Sequence, residues 1–313
     1  MINEVLPVIA LAGDERYSPG LLVSLASALD ALPADLAVEV LIFDEGLSAA
    51  TRASLERVVA SGSSRSHLRL VAGFGENQAQ VPIHGHLTVA TYARLLVAQA
   101  CPEAQLALYL DADTLSLGEL EPLLRLELGE HPAAAVIDDG AATFALRLGY
   151  GALDGISDPD APYFNAGVMV MNLPVWRKRD LAHEIVSYIE QAGSQLRFLD
   201  QDAINMTLGD EILQLPRHFN YQLRVNQRWP ANNDPAGLTV VHFSDPHKPW
   251  ASAEWLLDQG ATRSASLAWW RTALLTRRLP VRWRLRMGLR LLRYTLRLLA
   301  SRGRRRVLAI MSR

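Results

Sequence analysis

The sequence predicts an α/β fold in which a mostly parallel sheet is flanked by helices, with a basic helical tail at the C-terminal end. Three observations predict it. Short apolar runs alternate with helical periodicity over the first 140 residues, as in strands joined by crossover helices. Half of the 313 residues are hydrophobic, enough to bury the core of one large domain. Residues 271–313 combine arginines with regularly spaced leucines.

Strands and helices alternate through the first half of the chain. Strands are expected at residues 7–12, 37–43, 67–71 and 106–110, and helices at residues 21–32, 48–60 and 88–100. Ser48 opens the second helix as its N-cap. Ligands of such sheets bind outside the carboxyl ends of the strands. We therefore expect the loops at residues 13–19 and 111–114 to face one crevice.

The second half of the chain holds fewer elements. A strand is expected at residues 164–172, a helix from about Pro174, a helix at residues 199–207 and a strand at residues 239–243. The last strand leads into SDPHKPW, a loop punctuated by Pro246 and Pro249. No internal repeat or low-complexity linker divides the sequence.

The net charge of -2 hides a strong asymmetry. Residues 1–270 hold 17 Lys and Arg against 33 Asp and Glu, whereas residues 271–313 hold 14 Arg and no acidic residue. An acidic body with a basic tail indicates an anionic partner. Lys178 and Lys248 are the two lysines of the chain, and we expect Lys178, in a WRKRD run, to lie on a solvated face.

Compartment signals in the sequence are few. The single cysteine, Cys101, excludes an intrachain disulfide framework and favours a reducing compartment. Glu4 and Asp14 flank a short apolar run near the start, which is unlike a signal peptide. No run of 18 uninterrupted apolar residues occurs, so no membrane-spanning helix is expected. We expect a cytoplasmic protein, with the tail as a means of peripheral attachment to the inner face of the cytoplasmic membrane.

Residues 281–300 predict an amphipathic helix. Its leucines recur at spacings of four and three, at Leu285, Leu289, Leu292, Leu296 and Leu299. An adjacent stripe is formed by Arg286, Arg290, Arg293 and Arg297. With Trp283 and Tyr294, this composition favours a helix lying in the headgroup layer of a membrane. Packing of the helix on the acidic body is an open alternative, and nucleic-acid binding, which also uses arginine-rich segments, is not expected.

Two carboxylates, Asp111 and Asp113, follow the apolar strand at residues 106–110. They stand one residue apart where the chain leaves strand geometry, so both can turn toward one ion. Oxygen ligands suit Mn²⁺ or Mg²⁺, and Mg²⁺ is commonly held between carboxylates and substrate phosphates. By itself the pair also fits a solvated acidic turn.

Two further side chains near the last strand could complete such a site. An imidazole from His242 beside the carboxylates would favour Mn²⁺ over Mg²⁺, although in isolation the pattern favours a core histidine. Lys248, six residues later, could place its ammonium on a phosphate.

Ordered blocks across roughly residues 8–250 then give a specific resemblance. The blocks are ALAGDERY near the start, TYARL at 91–95, LYLDADTL at 108–115, AVID at 135–138, YFNAGVMVMNL at 163–173, DQDAIN at 200–205 and HFSDPHKPW at 242–250. Together they resemble glycosyltransferase family 8, the retaining group that contains bacterial lipopolysaccharide galactosyl- and glucosyltransferases and glycogenin. The resemblance implies a single Rossmann-like domain of the GT-A type at residues 1–260. Residues 1–140 would form its nucleotide-sugar half, residues 141–260 its acceptor side, and residues 261–313 the arginine-rich tail.

The resemblance also implies the reaction. The enzyme would move a hexose, galactose or glucose, from a UDP-sugar to a carbohydrate acceptor such as lipopolysaccharide or another glycolipid. Asp111, Asp113 and His242 would bind Mn²⁺ or Mg²⁺ on the diphosphate. A non-catalytic UDP-sugar-binding protein is the alternative.

Carried over position by position, the resemblance gives a full donor site. The uridine would be held by Ala12, Asp14 and Tyr17, with the ring of Tyr17 on the base, and the diphosphate by His86 and Lys248 beside Ala112. The sugar hydroxyls would be held by Arg94, Asp138, Asn165, Asp200 and Gln201, of which Asp200 and Gln201 are the catalytic candidates. The competing structural interpretations are a core aromatic for Tyr17, a helix ion pair for Arg94 and a turn cap before Gly167 for Asn165. Asp202 and Asn205 are expected to be scaffold.

Several positions depart from the family pattern. Asp245 stands where the family usually has glycine, and Glu15 and Arg16 replace more typical residues beside the base, which leaves donor and acceptor preference open. Retention by two inversions would need a carboxylate at the anomeric carbon. Because the family offers the amide of Gln201 there, we favour front-face attack by the acceptor. Haloacid-dehalogenase-type phosphatases also carry D-x-D after a strand, but they need Thr or Val where this chain has Leu115.

Overall fold

The computed structural model describes residues 5–61, 66–73, 89–148, 158–223, 237–244, 246, 248–257 and 261–311. The strands are β1 (Val8–Gly13), β2 (Glu39–Asp44), β3 (His67–Ala72), β4 (Leu106–Leu110), β5 (Thr114–Ser116), β6 (Ala133–Ile137), β7 (Phe164–Asn172), β8 (Ile212–Gln214), β9 (Tyr221–Gln222) and β10 (Val240–His242). The α-helices are α1 (Ser18–Asp30), α2 (Ala49–Ala60), α3 (Val97–Ala100), α4 (Glu121–Leu124), α5 (Phe144–Leu148), α6 (Leu173–Arg179), α7 (Leu181–Ala192), α8 (Leu199–Leu208), α9 (Ala261–Leu275) and α10 (Val281–Met311). Short 3₁₀ turns lie at Glu15–Tyr17, Val89–Leu96, Gly193–Gln195, Gly209–Glu211, Arg217–Asn220 and Glu254–Leu257.

A central sheet with the strand order β3-β2-β1-β4-β7-β6-β8 organises the fold. The pairs β1–β2, β1–β4, β2–β3 and β6–β8 are parallel. β7 runs antiparallel to both β4 and β6. The mostly parallel sheet expected from the sequence is therefore confirmed, with one reversed strand inside it. Because β7 is reversed, its first residues lie beside the carboxyl ends of β4 and β6.

A second, small sheet has the order β5-β10-β9. β10 is antiparallel to β5, in a register that places His242 opposite Thr114. β10 is parallel to β9, and there His242 lies opposite Gln222. The imidazole is therefore brought beside the turn that follows β4, although the two segments are far apart in the sequence.

Helices cover both faces of the central sheet. On one face α1 is buried at every residue from Pro19 to Leu29, and a hydrophobic cluster joins it to Trp269 and Trp270 of α9. On the other face a second cluster joins the sheet to Trp176 of α6 and to α7 and α8. Burial on both faces explains why the strands read as nearly continuous apolar runs.

The start of α2 is capped as the sequence predicts. The hydroxyl of Ser48 accepts a hydrogen bond from the backbone N–H of Thr51 at 3.2 Å. The carboxylate of Glu15 accepts hydrogen bonds from the Ser48 N–H and from the Thr51 hydroxyl. A carboxylate at a helix N-terminus is stabilised by the unpaired N–H groups and by the helix dipole. Glu15, a departure from the family pattern, therefore joins the first loop to α2.

The segment expected as one helix at residues 88–100 is instead a 3₁₀ turn, Val89–Leu96, followed by the short α3. In an α-helix the carbonyl of Thr91 would accept the N–H four residues later. Here that carbonyl accepts the Nε–H of Arg94 at 3.0 Å. The tighter turn accompanies this contact and keeps Tyr92 and Leu95 buried in the core.

The C-terminal segment is helical, as expected, and it is attached to the body through α9. Trp269 and Ala273 of α9 are fully buried, and the Arg278 guanidinium pairs with Asp30 of α1. Along α10, Met287 is buried, whereas the leucines at 285, 289, 292, 296 and 299 are each more than half exposed. No helix in the described part of the chain is long and apolar enough to cross a bilayer. The domain boundary at residue 260 stays a prediction.

Candidate active site

A cavity of about 440 Å³ opens at the carboxyl ends of β1 and β4, a size typical of small-molecule sites. Its lining includes the predicted residues Ala12, Asp14, Tyr17, Arg94, Asp111, Ala112, Asp113, Asp138, Asn165, Asp200, Gln201, His242 and Lys248. The first and fourth loops thus face one crevice, as the parallel sheet predicts. His86 and Asp245 lie outside the described residues.

Two carboxylates and one imidazole converge in this cavity. The Nε2 atom of His242 lies 3.2 Å from Oδ1 of Asp113 and 3.7 Å from Oδ2 of Asp111. One ligand atom from each residue lies within 4.8 Å of the other two. Two oxygens and one nitrogen at this spacing are a donor set that suits a divalent transition metal. The sequence prediction that these three residues belong together agrees with this geometry.

Gly167 of β7 leaves the room that the cluster needs. A Cβ atom at this position would lie 2.2 Å from Cε1 of His242 and 2.7 Å from Oδ2 of Asp111. The Gly167 carbonyl also accepts the Asp111 N–H at 2.8 Å, which anchors the turn after β4. A glycine is therefore required here by close approach, not by backbone conformation.

Lys248 pairs with one of the clustered carboxylates. Its ammonium lies 2.6 Å from Oδ2 of Asp113 and donates to the Phe243 carbonyl at 2.5 Å. Burial acts to raise the pKa of Asp113, but the Lys248 ammonium and His242 outweigh it and hold that pKa well below its ordinary value. Burial lowers the pKa of Lys248, and Asp113 reverses this and raises it overall. Asp113 is therefore a persistent anion.

Arg94 bridges two carboxylates in the wall of the cavity. Its Nη2 lies 2.9 Å from Oδ1 of Asp111, and its Nε lies 2.8 Å from Oδ2 of Asp200. Its Nη1 donates to the Ala166 carbonyl. Arg94 therefore does form the ion pairs of the structural interpretation. These pairs also line the cavity, and they join the turn after β4 to α8.

Asp200 keeps one oxygen without a hydrogen-bond donor. The Nε–H of Arg94 points to the Thr91 carbonyl, so Oδ2 of Asp200 has charge contact but no aligned hydrogen bond among the described residues. Burial raises the pKa of Asp200 to about 6, against the opposing effect of Arg94. The preceding residue, Leu199, has φ of 42°, a left-handed conformation that is costly for leucine. The start of α8 is thus strained where it presents Asp200.

An amide network forms another wall of the cavity. Oε1 of Gln201 accepts the Ala166 N–H and an N–H of Asn165, both at 3.1 Å, and Nε2 donates to Oδ2 of Asp138 at 3.2 Å. Asn165 also donates to Asp138 at 3.1 Å and accepts the Gly167 N–H at 3.0 Å. The predicted turn-capping contact of Asn165 therefore exists alongside its place in the cavity.

At the opposite end, the 3₁₀ turn after β1 presents Asp14 and Tyr17. Oδ1 of Asp14 accepts the Tyr17 N–H at 2.9 Å and caps the turn. The Tyr17 ring meets Trp250 edge to face, with centroids 5.9 Å apart, and is half-buried. Its other surface lines the cavity.

Asp202 and Asn205 lie behind the site and hold its frame. Oδ2 of Asp202 accepts two backbone N–H groups that precede α8, and Oδ1 pairs with the Tyr163 hydroxyl. Asn205 exchanges two hydrogen bonds with the backbone of Phe164, at 2.7 and 2.8 Å. Both contacts agree with the scaffold role expected for these residues.

Sequence reasoning did not find several residues of the site. Thr91, Tyr109, Phe198, Ser244 and Pro246 line the cavity, and Asn220 contacts His242 from behind. Four of them lie in the blocks TYARL, LYLDADTL and HFSDPHKPW, so these blocks taken in full include Thr91, Tyr109, Ser244 and Pro246. Asn220, in RHFNYQ, carries no local signal.

Comparison with known proteins decides the family. The model of glycosyl transferase family 8 matches residues 8–254. The chain belongs to this family. It is 26% identical over 251 residues to the lipopolysaccharide 1,3-galactosyltransferase of Salmonella typhimurium strain LT2, covering 78% of this chain and 73% of that protein. It is 24% identical to general stress protein A of Bacillus subtilis strain 168, covering 80% of this chain and 89% of that one.

Solved structures of this glycosyltransferase class share the fold. The crystal structure of the galactosyltransferase LgtC with donor and acceptor sugar analogues is similar with a TM-score of 0.69 and 28% identity, covering 88% of this chain and 99% of that one. The family 8 chain is therefore a glycosyltransferase of the GT-A type, and its cavity lies within the matched region. Sugar donor and carbohydrate acceptor are the substrate classes that this membership implies.

Proposed function

We propose that this glycosyltransferase moves galactose or glucose from a UDP-sugar to a carbohydrate acceptor, with retention of configuration and with Mn²⁺ preferred over Mg²⁺. One observation carries the proposal: the cluster of Asp111, Asp113 and His242 shares a cavity with the Asp14–Tyr17 turn on one side and the Asp138 network on the other. The base of the nucleotide would then bind at the turn, the diphosphate at the cluster and the sugar at the network.

The base would lie at the first loop. The half-buried ring of Tyr17 is held against Trp250, so its free surface can stack on a planar base with little loss of side-chain freedom. Ala12 and Asp14 line the same part of the cavity.

The diphosphate would lie over the metal cluster. When bound there by Asp111, Asp113 and His242, a divalent ion would neutralise charge on the diphosphate and on the leaving UDP. The imidazole in the donor set supports Mn²⁺ as the preferred ion. Lys248, whose side chain is only about one-tenth exposed, would add a point charge to a phosphate oxygen from within the cavity.

The sugar would lie between Arg94 and the amide network. Asp200 lines this part of the cavity, so its carboxylate could accept a sugar hydroxyl beside the Arg94 guanidinium. Asp138 and Asn165 offer further polar atoms on the same side. We place Gln201 nearest the anomeric carbon, following the family pattern.

The contacts of the two catalytic candidates favour a front-face reaction. The Gln201 amide is neutral and already engaged at both ends, and the Asp200 carboxylate is held 2.8 Å from the Arg94 guanidinium. Neither is a free carboxylate nucleophile. In the proposed step the acceptor hydroxyl bonds to the anomeric carbon on the face from which UDP departs, and the leaving phosphate oxygen takes the hydroxyl proton. A glycosyl-enzyme adduct seen by intact-protein mass spectrometry would contradict this route.

We also propose a glycolipid acceptor, with peripheral attachment to the inner face of the cytoplasmic membrane through α10. The exposed leucines of α10 form one row with arginines beside it, which suits an anionic lipid surface. A lipopolysaccharide-directed relative among the similar proteins supports the same acceptor class. The inner face of α10 packs through Met287, so both packing and membrane contact are compatible with one helix.

The proposal is tested by UDP release from a panel of UDP-sugars, with and without Mn²⁺. Slow Mn²⁺-dependent hydrolysis of one UDP-hexose is expected for the wild type, lost in Asp113→Ala and kept in Asp210→Ala, which removes an exposed carboxylate outside the cavity. Binding of UDP-sugar without turnover, with any acceptor offered, would favour the non-catalytic alternative. If no UDP-sugar is hydrolysed and none protects the protein against thermal unfolding, the proposed donor class is wrong.

A further inference from the structure

Behind the metal cluster lies a wholly buried asparagine that is not part of the cavity wall. Asn220 ends the 3₁₀ turn Arg217–Asn220, just before β9. Its Oδ1 lies 3.2 Å from Nδ1 of His242, and its Nδ2 donates to Oδ1 of Asn165 at 2.9 Å. Asn220 therefore joins the imidazole to the amide network on the opposite wall.

The orientations of the Asn165 and Asn220 amides follow from neighbouring groups that can only donate or only accept a hydrogen bond. The Gly167 N–H must meet an acceptor, so the atom of Asn165 at 3.0 Å from it is the oxygen. The other end of Asn165 then donates to the Asp138 carboxylate. Because Asn165 presents its oxygen to Asn220, Asn220 must present its NH₂ there. The oxygen of Asn220 is left to face His242.

This orientation places an oxygen acceptor at Nδ1 of His242. When a metal ion takes the lone pair of Nε2, the proton of the neutral ring lies on Nδ1, where the oxygen of Asn220 accepts it. Nε2 is the atom that faces the oxygens of Asp111 and Asp113. A metal-binding imidazole needs this tautomer and a fixed ring plane.

We propose that Asn220 is a positioning residue that selects the metal-binding tautomer of His242 and couples it to the Asp138–Asn165 side of the cavity. The inference rests on the proposed metal site and extends it beyond the three ligands. Asn220 touches no substrate in this scheme. It acts through His242 on one side and Asn165 on the other, and its removal is expected to weaken metal binding.

The test is Mn²⁺ titration of the purified full chain by calorimetry, without donor or turnover. Asn220→Leu keeps the size of the side chain and removes the acceptor, and its dissociation constant for Mn²⁺ is expected to rise roughly 10- to 100-fold. Asn220→Asp keeps an oxygen at Nδ1 but loses the N–H that Asn165 accepts, so its affinity for Mn²⁺ is expected to fall between those of the wild type and Asn220→Leu. The matched control is Asn205→Leu, which removes another buried asparagine that does not contact His242 and is expected to bind Mn²⁺ within about threefold of the wild type.

The outcomes separate this inference from the proposed function. If the wild type binds no Mn²⁺, the metal site itself is wrong. If the wild type binds Mn²⁺ and folded Asn220→Leu binds it equally well, the positioning role is wrong. Should Asn220→Leu not fold, ¹⁵N–¹H spectra of the wild-type imidazole with Mg²⁺ decide: a proton on Nδ1 supports the inference, and one on Nε2 overturns it.

Discussion

Adding one methyl group at Gly167 should disable the site without unfolding the protein. Gly167 has no left-handed backbone conformation, so alanine is acceptable to the main chain and the effect is steric. The new Cβ would lie 2.2 Å from Cε1 of His242, about 1.2 Å short of the 3.4 Å at which ordinary contact begins. The contact with Oδ2 of Asp111, at 2.7 Å, falls about 0.7 Å short. The imidazole or the carboxylate has to move.

A metal site tolerates little of this movement, because ligand distances hold to about 0.2 Å. We expect Gly167→Ala to raise the Mn²⁺ dissociation constant at least about 10-fold. A misplacement of about 1 Å costs roughly 100-fold in rate, so kcat/KM for the donor should fall by at least that factor, or about 2.7 kcal/mol in the barrier. Overpacking should cost about 1–3 kcal/mol of stability, which leaves a folded protein.

The assays are Mn²⁺-dependent UDP release, Mn²⁺ calorimetry and a thermal melt followed by circular dichroism. Gly288→Ala is the matched control, since its Cβ would meet Leu274 at an ordinary 3.7 Å and alanine favours a helix by about 1 kcal/mol over glycine. It should keep activity within about twofold and not lower the Tm. A folded Gly167→Ala protein with wild-type Mn²⁺ affinity would refute the steric argument.

The remaining predictions concern charge, frame and tail. Burial raises the pKa of Asp200 in the folded protein to about 6, against an ordinary value of 3.8. The protonated side chain therefore stabilises the fold below about pH 4, and this contribution is lost as the pH rises to about 6. Urea unfolding should show the wild type losing on the order of 3 kcal/mol of stability relative to Asp200→Asn over this window, and a constant difference would contradict the prediction. Asn205→Leu should lower stability by about 2–3 kcal/mol, since it leaves the Phe164 N–H and carbonyl unpaired, and an unchanged Tm would contradict that. Replacing exposed Leu289 and Leu292 by serine should reduce co-sedimentation with anionic vesicles at unchanged Tm, and equal sedimentation would remove the leucine row from membrane binding.

The order of elements and the place of the site followed from the sequence because both depend on local patterns. Apolar runs alternating with helices predict parallel strands, and parallel strands bring the residues after β1 and β4 to one edge. The sequence therefore predicts that Asp14 and Asp113 face one crevice, which the fold confirms.

Contacts made by distant segments were beyond such reasoning. The position of His242 beside Asp113 depends on the antiparallel register of β10 with β5, which no spacing in the sequence determines. The family resemblance supplied that association instead. The 3₁₀ turn around Arg94 also depends on contacts between distant segments, because Asp111 and Asp200 hold the guanidinium from two other elements.

The charge balance of the cavity gives a second argument for a divalent metal, independent of the ligand geometry. Within the described residues, the cavity lining contains five carboxylates, at Asp14, Asp111, Asp113, Asp138 and Asp200, and two cationic side chains, Arg94 and Lys248. Arg94 is already shared between two of the carboxylates, and Lys248 is paired with a third. A diphosphate entering this wall would add negative charge to a buried anionic site, where like charges disfavour one another strongly. A divalent cation on the carboxylate cluster reverses that sign. Donor binding without metal should therefore be weaker than binding with it for every UDP-sugar, and an affinity that ignores Mn²⁺ would mean that the diphosphate does not lie at these carboxylates.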